Sequence, residues 1–294
     1  DDDILLEIEK PARYIGGEVN AVMKNVEDID VRFAMCFPDV YEIGMSHLGI
    51  QILYDMLNSF GDVWCERVYS PWVDLDRIMR EKHIPLFALE SQDPITEFDF
   101  LGITIQYEMC YTNILQVLDL SGIPLCAKDR TMEDPFVIGG GPCTYNPEPI
   151  AAFFDMFYIG EGETVYRELL DRYKEWKHSG KERIEFLKMA AQVPGIYVPQ
   201  FYESAAHEFI AALDPIGIRP LYYGYDEDGT IASFDKLVKE APDTVIKQVE
   251  CDMSDTYYPE KPLVPYIKVT QDRVVLEIQR GCIRGCRFCQ AGML

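Results

Sequence analysis

The chain has 294 residues, nine of them cysteine, with a formal net charge of −23; hydrophobic residues make up 48% and charged residues 26%. That balance describes a globular protein with a real core and, at this length, about two domains. It excludes a disordered or collagenous chain, the absence of an apolar run of about eighteen residues excludes a spanning helix, and the acidity argues against direct binding of nucleic acid.

Residues 1–28 are an acidic lead carrying Lys10-Pro11-Ala12-Arg13-Tyr14-Ile15-Gly16-Gly17-Glu18, in which Gly16-Gly17 marks a turn with no chemistry assigned to it. Val31-Arg32-Phe33-Ala34-Met35-Cys36-Phe37 then predicts a buried strand, closed by Pro38-Asp39. From Gly44 to Leu57 apolar residues recur at helical spacing, which predicts a helix containing His47. A strand near residues 64–69, a helix over 75–82 and a short apolar piece at 86–89 follow. Further strands are predicted at 100–105, 136–138 and 156–159, with helices near 111–120 and running to about 177. Strands alternating with helices predict an α/β fold built on a doubly wound parallel sheet of the Rossmann or flavodoxin-like kind. The motifs Gly139-Gly140-Gly141-Pro142 and Gly160-Glu161-Gly162-Glu163 fall at the C-terminal ends of strands, the edge that lines the ligand crevice in such sheets. Glu161 and Glu163 also read as acids favoured at the first turn of a helix.

Past residue 178 the pattern weakens. Gly195-Ile196-Tyr197-Val198-Pro199 predicts a short strand, and residues 222–231 a hairpin turning at Asp228-Gly229. Pro242, Pro259, Pro262 and Pro265 then punctuate an extended connector. The domain reading is a lead over 1–28, an α/β domain over 29–178, a connector over 179–262 and a further unit beginning at 263. That unit opens with Arg273-Val274-Val275-Leu276-Glu277-Ile278, alternating and β-branched, and therefore predicted as a strand.

The strand leads into Gln279-Arg280-Gly281-Cys282-Ile283-Arg284-Gly285-Cys286-Arg287-Phe288-Cys289, three cysteines at the spacing C-x3-C-x2-C. Three thiolates folded around one point make a metal site. Structural zinc takes four protein ligands, commonly as two pairs, and no second Cys or His pair lies near. Bacterial ferredoxins use C-x2-C-x2-C with a fourth cysteine. A cubane cluster on three cysteines leaves one iron open for an exogenous ligand. The other six cysteines, Cys36, Cys65, Cys110, Cys126, Cys143 and Cys251, are scattered in apolar segments and read as small buried hydrophobes. Nine cysteines without a signal peptide predict a reducing, cytoplasmic setting.

With Phe288 as the aromatic of C-x3-C-x-aromatic-C, this loop resembles the radical S-adenosylmethionine (SAM) superfamily. The resemblance implies that Cys282, Cys286 and Cys289 ligate a [4Fe–4S] cluster, and that the open iron chelates SAM. Electron transfer then releases a 5′-deoxyadenosyl radical, with the electron drawn from an external donor such as flavodoxin or ferredoxin. Phe288 would shield the cluster, Arg280, Arg284 and Arg287 would offset its charge, and Glu277 and Gln279 would face the lumen of a TIM-type barrel whose first strand is 273–278. The order of strands before it resembles the cobalamin-binding domain that precedes the barrel in many such enzymes. Gly139, Gly140 and Gly141, then Gly160, Glu161, Gly162 and Glu163, match its glycine-rich hallmarks, and Thr104 stands where a small hydroxyl residue is common. Where base-off cobalamin domains carry D-x-H-x-x-G, this chain has Asp39, Tyr41 and Gly44, with tyrosine replacing the cobalt-binding histidine. A phenol with a pKa of about 10 is a poor ligand beside a neutral imidazole, and a helical His47 would face away from position 41. The whole chain resembles the N-terminal portion of an uncharacterised family of cobalamin-domain radical-SAM Fe–S oxidoreductases, and so is expected to be a fragment of a longer protein. Methyl transfer or another radical modification of an unknown substrate is the activity implied. The alternative is a cobalamin-type fold kept as a scaffold or corrinoid-binding module without catalysis of its own.

Overall fold

A computed structural model describes residues 2–204, 208–213, 220–225, 234–250, 253–254, 256–278 and 280. After a one-turn helix α1 (Asp2–Leu5) the chain enters β1 (Val31–Phe37), which is buried at every position. Its side chains alternate between two cores: Val31, Phe33, Met35 and Phe37 enter one, Ala34 and Cys36 the other. A strand covered on both faces reads as a continuous apolar run, which is why this one is plain in the sequence.

Strands β2 (Val63–Tyr69), β3 (Phe100–Thr104), β4 (Phe136–Gly140) and β5 (Met156–Tyr158) extend the sheet in parallel, and β6 (Ile196–Tyr197) closes it antiparallel to β5. The order is β2-β1-β3-β4-β5-β6. Its first five strands follow the flavodoxin-like order, in which the crevice opens where the winding reverses, beyond the C-terminal ends of β1 and β3.

On one face lie α3 (Leu48–Ser59), α6 (Tyr166–Ser179) and α7 (Arg183–Ala190). Phe100 and Phe136 of the sheet meet Tyr173 and Phe186 there, with ring centroids 4.7 Å apart for Phe100–Tyr173 and 4.6 Å for Phe136–Phe186. On the other face lie α4 (Val73–Lys82) and α5 (Tyr111–Ser121), which bury Leu75, Ile78 and Met79 and Ile114, Val117 and Leu118. The single turn α2 (Tyr41–Gly44) and the start of α3 divide the stretch predicted as one helix. Because α7 and β6 belong to this same sheet unit, the unit continues past residue 178.

The acidic lead folds over β2, the edge strand. Arg67 of β2 is fully buried, with Nη2 2.6 Å from Glu18 and Nε 2.6 Å from Glu90. Gly16 and Gly17 both adopt left-handed backbone (φ 61° and 75°), and this turn delivers Glu18 to Arg67. A charge removed from water needs such a partner, so the Gly-Gly turn has a structural task that its sequence did not disclose.

Beyond the main sheet, β9 (Pro220–Tyr225) pairs with β8 (Glu208–Leu213), upstream of it, and the expected turn at Asp228-Gly229 lies outside the described residues. β7 (Tyr202–Ser204) pairs with β10 (Phe234–Lys236). Residues 273–278 form no ladder among the described residues, since a strand needs a hydrogen-bonding neighbour and none is placed beside them. No helix among the described residues is long and apolar enough to cross a membrane.

Candidate functional site

The crevice at the switch point contains a cavity of about 510 Å³. The loops leaving four of the five parallel strands contribute to it: Ser46 and His47 after β1, Thr104 and Gln106 at the end of β3, Gly140 and Gly141 at the end of β4, and Gly160, Glu161, Gly162 and Glu163 after β5. Its remaining wall comes from far along the chain, in Gln271, Glu277 and Arg280.

Seven of the residues named for the cobalamin-type resemblance meet here, Thr104, Gly140, Gly141, Gly160, Glu161, Gly162 and Glu163, and Glu277 lines the same cavity. A side chain at Gly140 would point into open space, with no atom within 4 Å of a Cβ, so the glycine leaves the cavity floor unobstructed. Thr104 Oγ1 accepts a hydrogen bond from Gln106 Nε2 at 2.7 Å. Gly139 is instead a packing glycine, whose Cβ would lie 2.6 Å from the Phe157 ring.

Asp39, Tyr41 and Gly44 are not among the lining residues. The Tyr41 hydroxyl points into the interior and donates to Glu18 Oε1 at 2.8 Å; burial and the Glu18 carboxylate push its pKa well up. Asp39 accepts from the Val40 N–H at 2.7 Å and from the Tyr107 hydroxyl. Gly44 lets the Tyr69 ring pass, since a Cβ there would lie 2.2 Å from it.

His47 departs from expectation in the other direction. It precedes α3 as its N-cap, with Nδ1 accepting from the Ile50 N–H at 3.3 Å, and its ring forms part of the cavity wall. Burial lowers its pKa while a hydrogen bond with the Gln106 side chain opposes that, and the imidazole is neutral at physiological pH.

Arg280 is the other residue whose role changes. Its guanidinium contacts three carboxylates: Glu163 at 2.5 Å, Glu277 at 2.9 Å and Glu161 at 3.2 Å. Glu161 also accepts from the Glu250 N–H at 2.5 Å, and the Glu161 N–H donates to the Gln248 carbonyl at 3.0 Å. The GEGE turn therefore ties together the sheet, the connector and the residues leading to the cysteines. As expected of acids at a helix start, Glu163 stands in the first turn of the 3-10 helix Gly162–Thr164, with Glu161 at its N-cap position. Cys282, Cys286, Cys289 and Phe288, with Gln279, Arg284 and Arg287, lie outside the described residues. Among the described residues no group of three or more His, Cys, Asp or Glu side chains is arranged to hold a metal ion. Cys36, Cys65, Cys110 and Cys143 are buried and Cys126 is half-buried, while Cys251 falls outside the described residues.

Comparison with known proteins adds three findings. Residues 49–199 match the family model described as "Radical SAM proteins, N-terminal". Over 263 residues the chain is 26% identical to the uncharacterized protein MJ0966 of Methanocaldococcus jannaschii, covering 88% of this chain and 40% of that protein's length. Among solved structures, the cobalamin-dependent S-adenosylmethionine radical enzyme OxsB, with aqua-cobalamin and S-adenosylmethionine bound, superposes at a TM-score of 0.37. It shares 14% identity, over 72% of this chain and 24% of that one. The family match spans β3, β4 and β5 with their glycine-rich turns and takes in just over half of the chain, and membership implies S-adenosylmethionine and an iron–sulfur cluster. The chain belongs to the N-terminal family of radical SAM proteins.

Proposed function

We propose that the full-length protein is a radical SAM enzyme in which Cys282, Cys286 and Cys289 hold a [4Fe–4S] cluster and the sheet-edge cavity takes a corrinoid. The observation that carries the proposal is the joining of the cavity rim, through Glu161 and Glu163, to Arg280, two residues before the first cysteine of C-x3-C-x2-C. The donor set fits: three thiolates leave one iron of a cubane open, as SAM chelation requires. When bound, the cluster supplies the electron that cleaves the SAM sulfonium, and the corrinoid would supply a methyl group for transfer to carbon or phosphorus. The substrate class stays open on this reading, which includes other radical modifications.

The chain's own residues have definable tasks. Gly140 keeps a side chain off the cavity floor, so a large flat ligand would approach the backbone directly, while Gly141, at a φ of 96°, spares the turn a Cβ that would lie 3.0 Å from the Ile105 carbonyl oxygen. His47 is committed by its cap bond to Ile50 and by Gln106, and Tyr41 is committed to Glu18. Neither residue would therefore be free to donate to a bound corrin. The electron would come from an external donor such as flavodoxin or ferredoxin.

A second reading draws on the engagement of Glu161 and Glu163 by Arg280, which takes both acids away from any cavity ligand. On it the cobalamin-type fold is a scaffold without corrin. The visible spectrum of the anaerobically purified full-length protein separates the two. Corrin bands together with cluster absorption are expected; cluster absorption alone, unchanged after incubation with cobalamin, would establish the scaffold.

A further inference from the structure

The loops after β1 and β3 meet at the cavity wall through a relay of hydrogen bonds whose direction is fixed. It starts at the first turn of α3, where the Ile50 N–H donates to His47 Nδ1 at 3.3 Å. A backbone amide only donates, so the neutral imidazole carries its hydrogen on Nε2. That hydrogen needs an acceptor, and the Gln106 side chain bonds to His47. Gln106 therefore turns its Oε1 to the ring, which leaves its Nε2 to donate to Thr104 Oγ1 at 2.7 Å. Among the described residues the Thr104 hydroxyl hydrogen has no acceptor, and Thr104 lines the cavity.

The surroundings hold each member of the relay in place. The His47 ring lies against Phe37, with ring centroids 5.3 Å apart, and a Cβ at Gly49 would stand 2.9 Å from its Cε1. A Cβ at Gly141 would stand 3.0 Å from Gln106 Nε2, so the glycine after β4 leaves the amide its space. Two other hydroxyls on the cavity wall are spent within the protein. Ser46 Oγ donates to the Glu42 carbonyl at 2.7 Å, and the Tyr158 hydroxyl to the Glu161 carbonyl at 2.6 Å. Thr104 differs from both in having a hydrogen left to give.

We propose that His47 and Gln106 are positioning residues that fix Thr104 as a hydrogen-bond donor to the cavity's ligand, so that the site selects a ligand with an acceptor at the end of β3. An amide carbonyl oxygen or an unprotonated ring nitrogen meets that need, and an ammonium group does not. The proposal rests on the reading of the cavity as a corrinoid site. Corrinoids carry such acceptors on their amide arms and in their nucleotide loop, and the test keeps the two readings apart.

The variants, made in the full-length protein, are Thr104→Val, Thr104→Ser and Gln106→Glu. The probes are hydroxocobalamin and dicyanocobinamide, which lacks the nucleotide loop. Thr104→Val keeps the volume and loses the hydroxyl, so it should weaken cobalamin binding about tenfold, whereas Thr104→Ser should stay within about twofold of the parent. Gln106→Glu keeps the shape but sets an acceptor beside Thr104, whose hydrogen then turns away from the cavity. It too should weaken binding about tenfold, and it should add nothing in a Thr104→Val background. A matching loss with cobinamide assigns the acceptor to an amide arm, and a loss with cobalamin alone assigns it to the nucleotide loop. Nitrogen NMR of the His47 imidazole reads the relay without any ligand: Nε2 should carry the hydrogen, and its signal should shift in Gln106→Leu. Cobalamin affinity unchanged in Thr104→Val, or lower in Thr104→Ser than in Thr104→Val, overturns the donor role, and hydrogen on Nδ1 overturns the relay. An unmutated protein that binds neither probe overturns the corrinoid reading, and the tautomer arm then still decides whether the relay exists.

Discussion

Glu42 carries the contact between the acidic lead and the turn after β1. Its carboxylate receives Arg13 Nε and Nη2 and Lys10 Nζ, each at 2.8 Å. Burial alone would raise this carboxyl; hydrogen bonding to Arg13 and Lys10 outweighs it and holds the pKa at about 2 instead of 4.5. A folded pKa below the unfolded one contributes stability that is present above the unfolded value and lost as pH falls through the folded one, here between 4.5 and about 2. Glu42→Gln is expected to cost about 1–2 kcal/mol at neutral pH and to flatten the stability curve across that window. Urea titrations over the window check it, and parallel curves for the two proteins would contradict it. Pairings of this kind were not legible in the sequence. Arg13 finds Glu42 across 29 positions and Arg67 finds Glu18 across 49, and no local period announces such a partner. The same limit hid the roles of Tyr41 and His47: His47, expected inside a helix and facing away, is an N-cap that lines the cavity, and Tyr41 turns inward to Glu18.

At the scale of elements, glycines with similar sequence surroundings do opposite things. A Cβ at Gly160 would lie 2.3 Å from the Gln248 carbonyl oxygen, and φ is 136°, so the turn depends on the missing side chain. At Gly140 nothing stands within 4 Å. Gly160→Ala is expected to destabilise the protein by about 2 kcal/mol or more and to loosen the connector at Gln248, whereas Gly140→Ala should stay within about 1 kcal/mol of the parent. Unfolding midpoints of the two variants decide the matter, and equal losses would contradict this account. The parallel strands were legible because two-sided burial demands continuous apolar runs, as in Val31–Phe37. The β8–β9 pair was not, because Glu208–Leu213 contains alanines where β-branched residues would signal a strand. Residues 273–278 show the reverse case: alternation and β-branching state a preference, and a ladder still requires a partner strand.

Across the whole molecule, three segments distant in sequence converge on one edge of the sheet. The turn after β1 supplies Ser46 and His47, the turn after β5 supplies Glu161 and Glu163, and the stretch before the cysteines supplies Gln271, Glu277 and Arg280. The glycine-rich motifs and their position at the crevice were legible because parallel sheets place strand-end loops on one side. The closing of that crevice by residues 271–280 was not, since it depends on Arg280 choosing carboxylates more than a hundred positions away, Glu163 among them. The central claim is that the cysteine loop carries the chemistry. Anaerobic reconstitution of the full-length protein, followed by electron paramagnetic resonance of the reduced cluster with and without SAM, tests that claim most directly. The account predicts about four irons and four sulfides per chain, a signal perturbed by SAM, and loss of both the signal and deoxyadenosine formation in Cys286→Ala. Deoxyadenosine formed by Cys286→Ala at the rate of the unmutated protein would contradict it.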